Sequence, residues 1–121
     1  VEGAVAEVLV GLVRDPVYGA TVTVGLGGVT AELLADSVTL VLPVTEDEVF
    51  DAFRRLRLWP LLDGYRGRPY ADVAAAVATV MTLQGLMAND NNLTEIEINP
   101  LMVLTSGAVA ADALVRRKTD V

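Results

Sequence analysis

The sequence predicts one α/β (α+β) domain, in which a mostly antiparallel sheet carries two principal helices. The chain has 121 residues, of which 53% are hydrophobic and 21% charged, and this composition suits a single globular domain with a sizeable core. Apolar and polar residues alternate with a period of two in segments near both ends, which is typical of strands. Two helix-start signals lie between these segments, followed by apolar residues at helical spacing.

The N-terminal third predicts three strands. The segments Ala4–Val13 and Ala20–Val24 form two of them. Asp-Pro opens the intervening segment Arg14–Gly19 and a glycine closes it, which indicates a turn. The third strand, Ser37–Val44, is ended by Pro43 because proline cannot donate a ladder hydrogen bond.

Two helices follow these strands. Thr45 and Glu48 have the spacing of a capping box, and Pro60 stops the first helix. Asp72 caps a second helix that runs to about Ala88. The residues expected to face the core are Val49, Phe53 and Leu56 in the first helix and Val73, Val77, Val80, Leu83 and Met87 in the second.

The uncharged run at 73–89 is interpreted as a buried helix and not as a membrane span. It has 17 residues, at the lower edge of spanning length, and it contains Thr79, Thr82 and Gln84.

A C-terminal hairpin places oxygen-bearing side chains on one face. Glu95, Glu97 and Asn99 alternate with isoleucines, so they project together from the strand Leu93–Thr105. With Ser106–Gly107 as a two-residue turn, the second strand runs from Ala108 to Val115. In that register Asn99 faces Leu114, Leu101 faces Asp112, and Asp112 lies on the same face as Asn99, one diagonal step away.

An Asn carbonyl oxygen and an Asp carboxylate that converge in this way are suitable ligands for Mg²⁺. The alternative is a polar strand that simply faces solvent, but acids and Asn are poor strand formers. A bulge at Pro100 would shift the register.

Charge and composition exclude several kinds of site. The net charge is −7 with 9 basic residues, so a basic nucleic-acid-binding surface is not expected. A phosphate compound would need a divalent cation to approach such a chain. The chain has no cysteine and no histidine, which excludes a disulfide framework, a Cys-based zinc site and a histidine base, nucleophile or phosphate acceptor. No signal peptide or membrane span is visible, and a cytoplasmic location is expected.

The glycine-rich stretch at 25–28 does not match a dinucleotide-binding loop, because it lacks the G-x-G-x-x-G spacing. Two interpretations stay open: a tight or bulged turn, or a backbone loop lying against a phosphate or acyl group.

Five motifs in order resemble one family over residues 6 to 116. They are E-x-L-V-G-L-x-R-D-P-x-Y-G, G-L-G-G-V-x-x-E, L-L-x-G-Y-R-G-x-P, E-I-N-P-L and A-x-D-A. This series resembles the C-terminal part of the ATP-grasp domain of the ADP-forming acyl-CoA synthetases, such as the acetate–CoA ligases, relatives of the succinyl-CoA synthetase beta subunit. The resemblance implies the second ATP-grasp subdomain as the fold, and residues 1–121 as a single, partial domain.

The resemblance also implies an activity, an acid–thiol ligase reaction in which a carboxylate, CoA and ATP give acyl-CoA, ADP and phosphate. An acyl phosphate forms first, and the phosphoryl group passes to and from a histidine on a partner subunit or domain. The implied cofactors are Mg²⁺ and ATP or ADP, with CoA bound by other domains.

By position in the motifs, the resemblance implies that Asn99 and Asp112 hold Mg²⁺ and that the catalytic residue Glu97 contacts the phosphohistidine. Gly27, Gly28 and Glu32 correspond to a segment at the rim of the active site, where a cofactor-binding role is expected. Arg66 is a candidate for binding an anionic phosphate or CoA group, as is Arg14, with structural ion pairing as the alternative for both arginines.

The first half of an ATP-grasp domain, the CoA-binding domain and the histidine-bearing domain are not in these residues. The isolated chain is therefore expected to be inactive, and the apolar faces left bare predict self-association or instability. Two other functions stay open. One is a catalytically silent regulatory domain fused to another enzyme such as an acyltransferase, and the other is a small structural or interaction module.

Overall fold

The computed structural model describes residues 4–17, 19–26 and 36–118. In these ranges one six-stranded sheet carries two α-helices, which confirms the predicted α+β fold class. The strands are β1 (Ala4–Asp15), β2 (Gly19–Leu26), β3 (Ser37–Val41), β4 (Leu93–Leu104), β5 (Ala108–Ala110) and β6 (Ala113–Arg117), and the helices are α1 (Glu46–Arg54) and α2 (Val73–Asn89). Two short 3-10 turns, Trp59–Leu61 and Tyr65–Gly67, lie between the helices.

Every strand pairing in the described part is antiparallel, as expected for strands joined by short turns and a helical excursion. The sheet order is β3-β2-β1-β4-β5, and β6 also pairs with β4 beyond the end of β5. The long strand β4 is therefore bordered by β1 on one side and by β5 and β6 in succession on the other.

Both helices pack on one face of the sheet and form a single core with it. The core positions predicted for the two helices are all buried, although Leu56 lies just beyond the end of α1, and Ala52 and Ala76 join them. The sheet contributes alternate residues, as its period of two requires, including Val8, Val10 and Leu12 of β1, each 0% exposed. The second face of the sheet is not covered by any element within the described ranges.

The predicted helix caps are present. The Thr45 hydroxyl accepts a hydrogen bond from Glu48 N at 3.2 Å, and the Glu48 carboxylate accepts one from Thr45 N at 2.9 Å, which is the capping box. Asp72 has two roles at the start of α2. One carboxylate oxygen accepts a hydrogen bond from Ala75 N at 3.1 Å, and the other accepts one from Gly107 N at 2.6 Å. Asp72 thus joins the helix to the C-terminal hairpin.

Several predicted element boundaries were wrong. Strands β1 and β2 extend one or two residues beyond their predicted ends into the predicted turn and past Val24. Strand β3 ends at Val41, just before the Leu42–Pro43 pair, and not at Val44. Helix α1 ends at Arg54, so Pro60 lies in a 3-10 turn after the helix and does not terminate it directly. The last strand is divided into β5 and β6 by an interruption at 111–112.

Strand β4 contains the bulge that Pro100 suggested. Val8 pairs with Leu101 whereas Val10 pairs with Ile98, so Asn99 and Pro100 together oppose the single residue between Val8 and Val10. The extra residue changes which side chains face the core. Ile96 and Ile98 are buried before the bulge, and Leu101 and Val103 are buried after it.

No helix among the described residues is long and apolar enough to cross a membrane.

Candidate functional site

The uncovered face of the sheet carries the polar residues of the hairpin. Because Ile96 and Ile98 point into the core, Glu95, Glu97 and Asn99 lie on the uncovered face, as predicted, and each is half-buried. Strand pairing extends this face across the sheet, with Gly11 of β1 opposite Glu97 on one side and Leu114 of β6 opposite it on the other.

The register of the hairpin differs from the prediction and brings the two proposed ligands closer. Leu101 pairs with Ala110 and Glu97 with Leu114, which places Asn99 directly opposite Asp112, and Asn99 N donates a hydrogen bond to Asp112 O at 3.1 Å. The predicted pairing of Asn99 with Leu114 and of Leu101 with Asp112 was wrong by two residues. Directly opposite residues have Cβ atoms about 5 Å apart, closer than the diagonal pair predicted.

The shift comes from the turn. Leu104 N donates to Gly107 O at 2.9 Å, so the connecting residues are Thr105 and Ser106, not Ser106 and Gly107. Gly107 has a φ of +87°, which favours glycine directly after the turn. A shift by two residues preserves the alternation of faces, so Asn99 and Asp112 share a face in either register.

Glu97, Asn99 and Asp112 line one open pocket of about 210 Å³, together with Ala113 and Leu114. Within residues 4–17, 19–26 and 36–118, the side chains of these three residues form no hydrogen bond or ion pair, so their oxygen atoms are available to a ligand. The pocket therefore presents two carboxylates and one amide oxygen to solvent.

This donor set suits a hard divalent cation that is shared with a ligand. Mg²⁺ is usually held by one or two protein oxygens, with phosphate oxygens and water filling the remaining positions. No group of three or more His, Cys, Asp and Glu residues in the described part is arranged to hold a metal ion by itself. The arrangement fits an ion that arrives with a phosphate compound and does not fit a dedicated protein cage.

Glu95, the remaining acid of the alternating series, does not line this pocket. Its carboxylate pairs with Arg116 of β6, with Nε and Oε2 3.3 Å apart. Glu95 and Arg116 are directly opposite each other in the sheet, so this is a cross-strand pair next to the pocket.

Of the other predicted cofactor-binding residues, only Arg66 is among the described residues. Arg66 is in the loop between the helices, is exposed, and is not among the residues that line the pocket. Its φ is +51°, an uncommon backbone conformation for a residue other than glycine, and its guanidinium lies 5.2 Å from the centre of the Tyr65 ring. Gly27, Gly28 and Glu32 lie outside the described residues.

Arg14 has a structural position that neither of its predicted roles described. Its guanidinium donates hydrogen bonds to three backbone carbonyls at the end of α2 and the start of β4: Met87 at 2.7 Å, Leu93 at 2.9 Å and Asp90 at 3.4 Å. These carbonyls include the last groups of a helix, which lack intrahelical partners and carry partial negative charge. Arg14 thus fixes the connection that leads into the strand bearing the site.

A second pocket, of about 640 Å³, lies between the two helices and their connecting loop. Phe50 and Trp59 line it as an edge-to-face pair with ring centroids 6.1 Å apart, next to Arg54, Asp63 and Tyr70. Although this pocket is larger, the predicted metal ligands Asn99 and Asp112 do not line it.

Comparison with known proteins places the chain in one family. A family model described as an ATP-grasp domain matches residues 1–116. Acetate–CoA ligase [ADP-forming] I subunit beta of Pyrococcus furiosus is 34% identical over 107 residues, covering 88% of this chain and 46% of that protein. The trans-feruloyl-CoA synthase of an unknown prokaryotic organism is 36% identical over 110 residues, covering 89% of this chain but 16% of that protein.

A solved structure shows the same fold. Acetyl-coenzyme A synthetase 1 of Candidatus Korarchaeum cryptofilum, in complex with coenzyme A and Mg-AMPPCP, superposes with a TM-score of 0.87 and 29% identity, covering 93% of this chain and 53% of that one. In that complex a phosphohistidine segment points towards the nucleotide-binding site. The present chain spans about half the length of the Pyrococcus subunit, with 46% covered.

Proposed function

The chain belongs to the ATP-grasp domain family, and on that premise we propose that it is the C-terminal part of the ATP-grasp domain of a nucleoside-diphosphate-forming acyl-CoA synthetase. The overall reaction would be that of an acid–thiol ligase, converting a carboxylate, CoA and ATP into acyl-CoA, ADP and phosphate. Two ligases that are at least 30% identical to this chain support the proposal.

The observation that carries the proposal is the direct pairing of Asn99 with Asp112. These two oxygen-bearing side chains, one on β4 and one on the adjoining segment between β5 and β6, are both without a partner in the described part of the chain and have no evident structural role at the edge of the sheet. Asn is also a poor strand former, so a polar surface alone would be better served by Thr at position 99.

We assign Asn99 and Asp112 to the metal and its nucleotide. When bound, Mg²⁺ would neutralise charge on the phosphate oxygens. The protein's own contribution is to hold the amide oxygen of β4 beside the carboxylate of the segment between β5 and β6. The hydrogen bond from Asn99 N to Asp112 O and the strand pairs on both sides of it hold the two ligands close together before the ion arrives, so little ordering is required on binding.

We assign Glu97 to the phosphoryl carrier. Its carboxylate lies on the same face as Asn99 and lines the same pocket, where it can accept a hydrogen bond from an imidazole N–H. The chain contains no histidine, so the carrier would belong to another chain or domain. Most catalysis of phosphoryl transfer consists of positioning and charge balance. These three residues would supply positioning, and the bound Mg²⁺ would supply the positive charge.

The remaining machinery would be supplied from outside these residues. We propose that residues 1–121 are one partial domain, completed by the first ATP-grasp half and by CoA-binding and phosphohistidine domains of the same or a partner chain. The predicted contributions of Gly27, Gly28, Glu32 and Arg66 to cofactor binding belong to this proposal.

An assay of the complete protein tests it. The protein should consume ATP in a reaction that requires CoA, Mg²⁺ and a carboxylate, and Asp112→Ala should reduce turnover by about 100-fold or more. Asp63→Ala is the matched control, because Asp63 is an exposed acid outside the pocket. Full activity of the Asp112→Ala protein would refute the metal assignment, and an absence of CoA-dependent ATP consumption with every carboxylate would refute the proposed reaction.

A further inference from the structure

Gly11 occupies a position where the fold itself does not require glycine. It lies in the middle of β1 between Val10 and Leu12, both 0% exposed, so its missing side chain would project from the uncovered face of the sheet. A Cβ added there would meet nothing within 4 Å, and its φ is not in the left-handed region. Glycine is unfavourable inside a strand, so its presence in this open position points to a ligand or another chain approaching closely.

Gly25 of the neighbouring strand provides the contrast. A Cβ at Gly25 would lie 2.8 Å from Asp36 O and 3.0 Å from the Ser37 Cβ, so close approach of the chain beside it explains that glycine. Nothing in the described part of the chain explains Gly11 in this way.

The position of Gly11 relative to the pocket indicates what approaches it. Gly11 is directly opposite Glu97, on the β1 side of β4, whereas Asp112 and Leu114 are on the β6 side. The pocket with Asn99 and Asp112 is lined by residues of β4 and β6 and of the segment joining β5 to β6, with none from β1. The pocket therefore extends from β4 towards the β6 side of Glu97, whereas on the β1 side Glu97 faces Gly11, which has no side chain.

We propose that Gly11 is a positioning residue that keeps the β1 side of Glu97 clear for the main chain of the phosphoryl carrier. This inference rests on the proposed function. In-line phosphoryl transfer places the donor and the acceptor on opposite sides of the transferring group. If the nucleotide phosphates lie at Asn99 and Asp112, the β1 side of Glu97 is the side from which the acceptor can approach.

The step proposed beside Gly11 is the transfer of the γ-phosphoryl group of ATP to the carrier histidine. The bond from the γ-phosphorus to the bridging oxygen of ATP breaks, and ADP leaves with that electron pair. A bond forms from phosphorus to an imidazole nitrogen of the carrier, and one proton is released.

Thr23, opposite Gly11 on β2, borders the cleared space, and its hydroxyl is hydrogen-bonded to that of Thr39 at 2.7 Å. Gly11 and these hydroxyls thus form a small, uncharged surface beside Glu97.

Valine at position 11 tests the proposal in the complete protein. The expected result for Gly11→Val is a loss of about tenfold or more in the rate of phosphoryl transfer from Mg-ATP to the carrier histidine, measured with labelled ATP. The affinity for Mg-ADP, measured by calorimetry, should stay within about twofold of the wild-type value, and the melting temperature should be unchanged or higher than that of wild type. Gly11→Ala should show a smaller loss. Gly85→Ala is the control, because its Cβ would also meet nothing within 4 Å but it lies in α2.

Three results would overturn the proposal, and they are distinguishable. Transfer at the wild-type rate by Gly11→Val would show that the cleared space does not serve the carrier. A parallel loss of Mg-ADP affinity would assign the space to the nucleotide. A wild-type protein that binds no Mg-nucleotide and transfers no phosphoryl group would instead refute the proposed function from which this inference starts.

Discussion

Replacing Arg14 with lysine should destabilise the protein although the charge is kept. The guanidinium has two hydrogen bonds of good length, 2.7 Å to Met87 O and 2.9 Å to Leu93 O, and a longer one of 3.4 Å to Asp90 O. Arginine reaches carbonyls of both the helix end and the following strand because its donors are spread over a planar fork. A lysine ammonium is a single point and can retain one of the two good bonds.

The magnitude follows from the bonds lost. A hydrogen bond from a charged donor contributes about 1.5–3 kcal/mol, so the loss of one good bond and one long bond predicts about 2 kcal/mol of destabilisation for Arg14→Lys. Arg14→Met removes all of them and should cost about 3–4 kcal/mol. Arg55→Lys is the matched control, because the Arg55 side chain is 54% exposed and its pair with Asp51, at 3.4 Å, is a surface pair worth less than about 1 kcal/mol.

The assay is unfolding in urea, monitored by the fluorescence of Trp59. This is the single tryptophan among the 121 residues, and it packs against Phe50. With a denaturant slope of about 2 kcal/mol per M, Arg14→Lys should lower the midpoint by about 1 M. Equal midpoint shifts for Arg14→Lys and Arg55→Lys would show that the Arg14 hydrogen bonds do not stabilise the protein beyond an ordinary surface pair.

Three further predictions concern other parts of the fold. Thr45→Ala removes the hydroxyl of the capping box and should lower the free energy of unfolding by about 1 kcal/mol in the same urea assay; an unchanged midpoint would contradict the role of the cap. Gly25→Ala places a Cβ 2.8 Å from Asp36 O and should cost about 1–3 kcal/mol, whereas a stabilising effect would show that the contact relaxes freely. The pKa of Asp90 is lowered from 3.8, chiefly by its hydrogen bond from Asn92 N and also by Arg117 and Arg14. A carboxyl group with a lowered pKa contributes stability that is present above pH 3.8 and is lost as the pH falls through the folded pKa. In Asp90→Asn, the free energy of unfolding should therefore fall less steeply with decreasing pH in this acidic range. An unchanged dependence on pH would contradict this assignment.

Local signals predicted the helices and the face of the site well. The capping box at Thr45 and the apolar spacing of α2 act within a few residues, so the sequence contains the whole of each signal. The common face of Asn99 and Asp112 was also predictable, because a register shift of two residues leaves every side chain on the same face of the sheet.

Contacts between distant residues were less predictable. The turn lies one residue earlier than predicted, and Gly107, which follows it, donates a hydrogen bond to Asp72, which is 35 residues away and was expected only to cap a helix. The carbonyls bound by Arg14 are more than 70 residues from it in sequence, and no local pattern identifies them. The sequence likewise did not indicate the open space at Gly11, because only the strand pairing places Gly11 beside Glu97.

The Mg²⁺ dependence of ADP binding to the complete protein tests most directly whether Asn99 and Asp112 hold one ion. Calorimetry with and without Mg²⁺ would compare wild type, Asn99→Ala, Asp112→Ala and the double variant. If both side chains bind the same ion, Asp112→Ala should lose most of the Mg²⁺ enhancement, and adding Asn99→Ala should reduce it little further, because residues that act as a unit are not additive. An Asp112→Ala protein that binds ADP with the full Mg²⁺ enhancement of wild type would contradict the assignment.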